Sequence, residues 1–440
     1  MEQHITVIGA GLAGCEAAWQ AAGAGVQVTL YEMKPAKRTP AHTTDLFAEL
    51  VCSNSFKASR IDSAAGLMKE EMRRLGSLLL EAADCCKVPA GGALAVDRDD
   101  FAAYVTEKVK NHPNIKCVSE EVCDIPAKGI AVIATGPLTS EPLSKSIQRL
   151  CGEEYLSFFD AAAPIVTAES VDMSKAFFAS RYDKGGDDAY INCPMNKEQY
   201  EIFYSELVKA ETAPLHEFDN GGAVYEGCMP VEVLAKRGED TLRFGALKPV
   251  GLRDPETGRR PWAVVQLRRE NAQGTLYNLV GFQTNLKFGE QRRVFGLIPA
   301  LENAEFMRYG VMHRNTFINS TRLLGADYSL KKDNRIFFAG QITGVEGYME
   351  SAGAGIIAGI NAVRRAQGKP TVTLPKTTVL GALAGYISDP YVTDFQPMGA
   401  NFGVLPPIEP HIRDKKQRYA ALSQRALSEL ELFIKEMQYI

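Results

Sequence analysis

A short β-branched run, Ile5–Ile8, ends in Gly9-Ala10-Gly11-Leu12-Ala13-Gly14, and the Ala-rich stretch Cys15–Ala24 follows. Val26–Tyr31 then alternates and closes on Glu32. Strand, glycine turn, helix and strand within about 30 residues form a βαβ opening. No other feature restricts the fold as much, because a GxGxxG turn in this setting shapes a dinucleotide site. Gly9 permits the tight turn, Gly11 lets a pyrophosphate approach the backbone, and Gly14 lets helix and strand pack closely. The helix start turns unpaired N–H groups and positive dipole character toward the phosphates. Glu32 stands where a carboxylate meets the adenosine ribose hydroxyls and repels a 2′-phosphate.

NAD and FAD can both use such a turn. A second apolar strand, Ile130–Ile133, runs into Ala134-Thr135-Gly136, and this element resembles the second signature of two-dinucleotide-fold flavoproteins. A third strand, Arg335–Ala339, meets Gly340 and a Gly-rich run to Gly359. Both elements favour FAD. Most such flavoproteins carry an acidic residue after that glycine; here it is Gln341, an amide that can still hydrogen-bond a ribityl chain or pyrophosphate. The expected fold is α/β: an FAD-binding Rossmann-like domain from residues 1–165 and 322–440, with an inserted α+β substrate domain at 166–321. Pro35–Lys57 reads as one long loop, Ser63–Ala83 as one long helix, and Asp414–Met437 as a terminal packing helix. Val122 is expected at a strand position suited to backbone hydrogen bonds with adenine.

Composition excludes other classes. Nine Cys in 440 residues, with no paired CxxC set, oppose a zinc cage or a disulfide framework, and no His stands at metal spacing. The longest stretch without Asp, Glu, Lys or Arg, Asn271–Leu286, runs 16 residues, short of the roughly 18 apolar residues a membrane helix needs. With no basic, apolar leader, a cytoplasmic protein is expected. The net charge of −4 hides an asymmetry. Residues 230–320 carry 14 Lys+Arg against 9 Asp+Glu, a net +5, leaving −9 elsewhere. Arg259-Arg260, Arg268-Arg269 and Arg292-Arg293 lie in that stretch. It reads either as a solvated mixed-charge face or as a patch for a polyanion.

The string from Gly340-Gln341 through Gly347-Tyr348-Met349-Glu350-Ser351 resembles the GQ-x-x-G-x-x-GY-x-E element of folate-dependent flavoproteins that modify tRNA. The GAGLAG turn with its Cys-Glu, Leu50-Val51-Cys52-Ser53-Asn54-Ser55 and Tyr225-Glu226-Gly227-Cys228-Met229-Pro230 agree with it. Together they closely resemble the TrmFO family across essentially the whole chain. The related MnmG (GidA) proteins share the flavin motifs but are much longer. The resemblance implies FAD, with NAD(P)H and 5,10-methylenetetrahydrofolate as co-substrates. It implies a one-carbon unit carried at flavin N5 and passed to C5 of the T-loop uridine at tRNA position 54. Uracil C5 becomes nucleophilic only when a thiolate adds to C6, and a base must then remove the C5 proton. By resemblance Cys228 is the nucleophile and Cys52 handles the proton. Tyr348 either stacks on the flavin or packs. Arg259, Arg260, Arg268 and Arg269, with Tyr225, Trp262 and Phe282, are where RNA is expected. The alternatives are uracil methylation in rRNA, a small-molecule flavin oxidoreductase, and a flavin-loaded RNA-binding module without turnover.

Overall fold

The computed structural model describes residues 3–39, 41–152, 155–183, 190–213, 223–224, 229–392 and 395–439. The strand His4–Ile8 (β1), the helix Leu12–Gly23 (α1) and the strand Gln27–Glu32 (β2) form where the βαβ pattern places them. The sheet runs Ser329–Leu330, Asp333–Phe338, Ile130–Ile133, β1, β2, Ile115–Ser119. All its neighbours are parallel except the edge pair, with Val7 opposite Leu30 on one side and Val132 on the other. Helices bury both faces at the centre of the sheet, which is why Ile130–Ile133 reads as an unbroken apolar run. The helix Tyr348–Ala366 lies against α1. A Cβ on Gly355 would stand 2.2 Å from the Ala13 carbonyl oxygen, and one on Gly359 would stand 2.8 Å from that of Ala17. Small residues thus join the two ends of this domain backbone to backbone.

The chain leaves this domain through Tyr155–Ala161 and returns through Met312–Ile318. These strands pair antiparallel, from Ala161 opposite Met312 to Tyr155 opposite Ile318. Beyond them lies a second, antiparallel six-stranded sheet: Phe177–Phe178, Tyr190–Met195, Ala263–Arg269, Leu276–Leu279, Ile165–Thr167, Phe306–Arg308. It has its own apolar cluster, which includes Phe203, Phe282 and Phe295.

Two expectations about local structure are corrected. Ser63–Ala83 is two helices, Ala64–Arg74 and Leu78–Cys85. Gly76 turns left-handed (φ +74°), Ser77 caps the second helix, and the buried Glu16 carboxylate of α1 accepts from Leu78 and Leu79 N–H at 3.3 and 3.0 Å. Caps of this kind outweigh a leucine run that would favour continuity. The long loop after Pro35 ends early, because Ser55–Ala58 forms a strand against Ala93–Val96. The terminal helix, Lys415–Tyr439, buries Leu422, Ala426 and Leu430 as its spacing implies.

Candidate active site

A cleft of about 1090 Å³, its open mouth included, lies at the carboxyl ends of β1 and Ile130–Ile133. This is the point where strand order reverses, the favoured ligand position in open α/β sheets. Its walls include every residue expected to hold the dinucleotide except Gly14 and Gly347. Those two act from behind. A Cβ on Gly14 would fall 1.8 Å from the Gly9 carbonyl oxygen. Gly11 caps α1 with no side-chain hydrogen bond and no acidic residue in the first turn, and a Cβ there would meet nothing within 4 Å. Open space in front of unpaired helix N–H groups suits a pyrophosphate. Glu32 is fixed by Ala10 N–H at 2.9 Å and Lys34 N–H at 3.1 Å. Gln341 donates its amide to Glu346 at 2.8 Å. Val122 lies past the end of the strand Ile115–Ser119, so it meets the cleft from irregular chain and not from a strand position.

His42, which no motif marks in the sequence, takes a place in the site. It lines the cleft, with Nδ1 at 2.6 Å from Thr39 Oγ1. Burial, then Lys34, pushes its pKa down. Lys34 and Glu49 make a buried ion pair at 3.4 Å beside it. Burial opposes the Glu49 charge, but hydrogen bonds from Thr43 and the Lys34 charge hold its carboxyl below the usual range. Only the unusual length of the loop hinted at such a role.

Against the cleft stands the loop that carries Cys52. Val51 lines the cleft, and Cys52 is half-buried. The Tyr348 hydroxyl accepts from Cys52 N–H at 2.7 Å and Ser53 N–H at 3.2 Å, while its ring meets Phe56 edge-on. Burial pushes the Tyr348 phenol well up, so it stays neutral. Gly347 is obligatory here: it has φ +124°, and a Cβ would stand 2.1 Å from Glu350 Oε2. Glu350 holds Lys57 at 2.8 Å and Ala400 N–H at 3.0 Å. The GY-x-E string is therefore a clamp on the far side of the Cys52 loop.

Three arginines close on the same loop. Arg98 donates to the carbonyls of Leu50 and Cys52 and pairs with Glu270 at 2.7 Å. Arg308 donates to the Val51 carbonyl. Arg268 donates to Ser53 Oγ at 2.8 Å and Asn54 Oδ1 at 3.0 Å. Asn54 returns hydrogen bonds to the carbonyls of Val96 and Arg269, both at 2.9 Å. Burial opposes the Arg98 charge, but Glu270, Tyr348 and Cys52 together outweigh it and the pKa rises. For Arg268 and Arg308 burial wins and lowers it. Cys52 favours the charged form of all three guanidinium groups. Two of them, and Glu270, come from the insertion, so the loop is also the junction of the two domains.

Several expected RNA contacts are corrected. Arg268 is buried in this junction, because its guanidinium satisfies Ser53 and Asn54. Arg269 is half-buried and lends its carbonyl to Asn54. Phe282 sits in the insertion core between Phe203 and Phe295. Arg293 belongs to a mixed-charge face, paired with Glu206 and Glu290. Arg259 and Arg260 are exposed, and Trp262 is 36% exposed. Cys228 and Tyr225 lie outside the described residues. Cys15 is buried, with its thiol on the Ala10 carbonyl at 3.3 Å. Among the described residues, no helix is long and apolar enough to cross a membrane, and no three His, Cys, Asp or Glu gather as metal ligands.

Residues 4–370 match the family model described as glucose inhibited division protein A, GIDA. The chain is 60% identical to the methylenetetrahydrofolate--tRNA-(uracil-5-)-methyltransferase TrmFO of Halalkalibacterium halodurans, over 99% of each chain. It is 62% identical to the TrmFO of Desulfitobacterium hafniense, over 98% of each. The solved structure of Aquifex aeolicus GidA superposes with a TM-score of 0.70 at 20% identity, over 100% of this chain and 79% of that one, a likeness of fold. The cleft and its glycine turns thus belong to an FAD-binding Rossmann-like α/β fold, and the chain belongs to the TrmFO family.

Proposed function

We propose that this chain is a methylenetetrahydrofolate–tRNA-(uracil-5-)-methyltransferase that binds FAD in the cleft and uses NAD(P)H as reductant. The names of its full-length relatives support the enzyme class. The residues present fit a flavin dinucleotide: the open space at Gly11, the uncapped start of α1, and Glu32 fixed toward the ribose end. Bound there, FAD would supply hydride transfer and carriage of a one-carbon unit at N5. The observation that most supports the chemistry is the loop of Cys52, half-buried beside the cleft and ringed by Arg98, Arg268 and Arg308. Cationic surroundings favour a thiolate.

In this reading the Cys228 thiolate adds to C6 of the T-loop uridine at tRNA position 54. The electron pair moves to C5, and C5 bonds to the one-carbon unit. The Cys52 thiolate removes the C5 proton as the bond between the one-carbon unit and its carrier breaks, and a hydride, which bound reduced FAD would supply, then completes the methyl group as the Cys228 thiolate leaves C6. The target base must leave its stack to reach a recessed cleft. Tyr348 holds the Cys52 backbone in place throughout.

The test is nucleoside mass spectrometry. Unmodified tRNA is incubated with protein, FAD, NADPH and methylenetetrahydrofolate, and a parallel tube receives S-adenosylmethionine instead. The expected outcome is 5-methyluridine in the folate tube alone. Flavin-loaded protein that leaves tRNA unmodified but methylates an rRNA fragment would replace the substrate.

A further inference from the structure

We propose that the insertion carries a second RNA-binding edge, which begins at Phe244 and Trp262, about 20 Å along the strand from Arg268, and includes Tyr182. This rests on the tRNA reading above and adds where, beyond the cleft, the RNA is held. The strand Ala263–Arg269 ends at Arg268 on the Cys52 loop and begins beside Trp262, and six residues of strand span about 20 Å.

Two large aromatics are exposed near that far end, Phe244 at 82% and Trp262 at 36%, and a third, Tyr182 at 57%, stands farther along the strand, next to Arg181, which donates to Gln266 at 2.8 Å. Each is held by backbone. Trp262 N–H donates to Met195 at 3.1 Å, and its carbonyl accepts from Arg243 Nε at 3.1 Å. The Arg243 guanidinium also lies 3.7 Å from the Trp262 ring centre. Tyr182 N–H donates to Gly251 at 3.0 Å, and its ring lies over Gly251, where a Cβ would come within 3.0 Å. Exposed aromatics on a fixed backbone lose little freedom when a flat ligand stacks on them.

The charge around them selects the ligand. Residues 236–262 hold seven Lys+Arg and four Asp+Glu. Of the four, Asp240 pairs with Arg243, and Asp254 organises its own turn by accepting Glu256 N–H at 2.9 Å. Among the described residues no carboxylate pairs with Arg253, Arg259 or Arg260, and Arg253 and Arg260 bound a shallow groove with Leu252. Unneutralised guanidinium groups beside exposed aromatic rings fit unstacked RNA bases and their phosphates. An apolar protein partner would leave those charges desolvated.

The experiment combines ultraviolet crosslinking to tRNA, read by peptide mass spectrometry, with Kd measured across a salt series for wild type, Phe244→Ala and Arg259→Ala/Arg260→Ala. The exposed sites leave folding intact, checked by flavin content. Nucleotide-bearing peptides within 241–262 are expected. Phe244→Ala should weaken binding about tenfold, as for loss of one stacked base. The double variant should lower the salt slope by about 1–2. Unchanged affinity and slope, with crosslinks confined to the Cys52 side, would overturn the edge while leaving the methyltransferase reading standing. Wild-type protein that neither binds nor methylates tRNA would sink both. A dimer dissociated by Phe244→Ala without RNA would make this edge a protein interface and overturn the proposal.

Discussion

The flavin cleft and the Cys52 junction share a wall but are made of opposite materials. The cleft is backbone: helix N–H groups, glycines with no room for a Cβ, and strand ends at a switch point. The junction is side chain: Arg98, Arg268, Glu270, Arg308 and Tyr348 converge on five residues of loop from distant segments. A cofactor site of the first kind forms within one domain. A loop of the second kind is completed only when two domains close around it, so the chemistry proposed for Cys52 depends on the assembly and the flavin fit does not.

The sharpest way to break this contrast is Gly14→Val. Its Cβ would overlap the Gly9 carbonyl at 1.8 Å, so the turn must open. FAD affinity should fall about 100-fold, the upper end of what an overpacked site typically loses, and the flavin retained on purification reports it. Arg98→Ala should come next. It strands Glu270, whose side chain is 4% exposed, at a cost of about 3–5 kcal/mol. Urea unfolding should show the loss, and Arg98→Ala/Glu270→Ala should recover part of it. A junction indifferent to Arg98 would mean that the ring of arginines is decoration.

A smaller effect separates the regions more finely. Arg308→Met removes one of the three charges facing the Cys52 loop. Alkylation of the Cys52 peptide at pH 7 should slow about three- to tenfold, with flavin content unchanged. Equal rates in both proteins would detach the arginines from thiol reactivity.

A separate effect lies outside both regions. Burial raises the Glu71 carboxyl to about 8, although it accepts from Val379 and Leu380 N–H. A carboxyl raised on folding binds a proton that the unfolded chain has released. Its contribution is therefore complete below about 4.5 and is lost as pH rises through about 8. Glu71→Gln should flatten that decline in a pH series of unfolding midpoints, and an identical slope would remove Glu71 as its source.

What was legible in the sequence follows from the same contrast. The glycine turns, Glu32, Ala134–Gly136 and Gly340–Gln341 are contiguous, and each residue type has one geometric reason to be there. Arg98 gave no such signal, because its partners lie 46, 48 and 172 positions away. Arg268 was misread for a related reason. A doublet of arginines looks like surface, but alternation along a strand sends neighbours to opposite faces, and one of them turned inward to Asn54. His42 carries no signal in the sequence because its neighbours Lys34 and Glu49 gather only once the loop folds back on itself.

The paired strands through which the chain leaves and re-enters the cofactor domain impose a timetable on synthesis. Ile130–Ile133 emerges from the ribosome 200 residues before Asp333–Phe338, the strand that completes its side of the sheet. At about 5–20 residues per second that interval is roughly 10–40 s. During it, one edge of a parallel sheet stands open, the kind of edge that recruits unwanted strands. The insertion has its own core and can fold in that window. Flavin capture must wait, because Gly340, Gln341, Tyr348 and Ser351 are translated last among the residues that wall the cleft. The nascent chain thus spends its riskiest seconds without the ligand that would stabilise it.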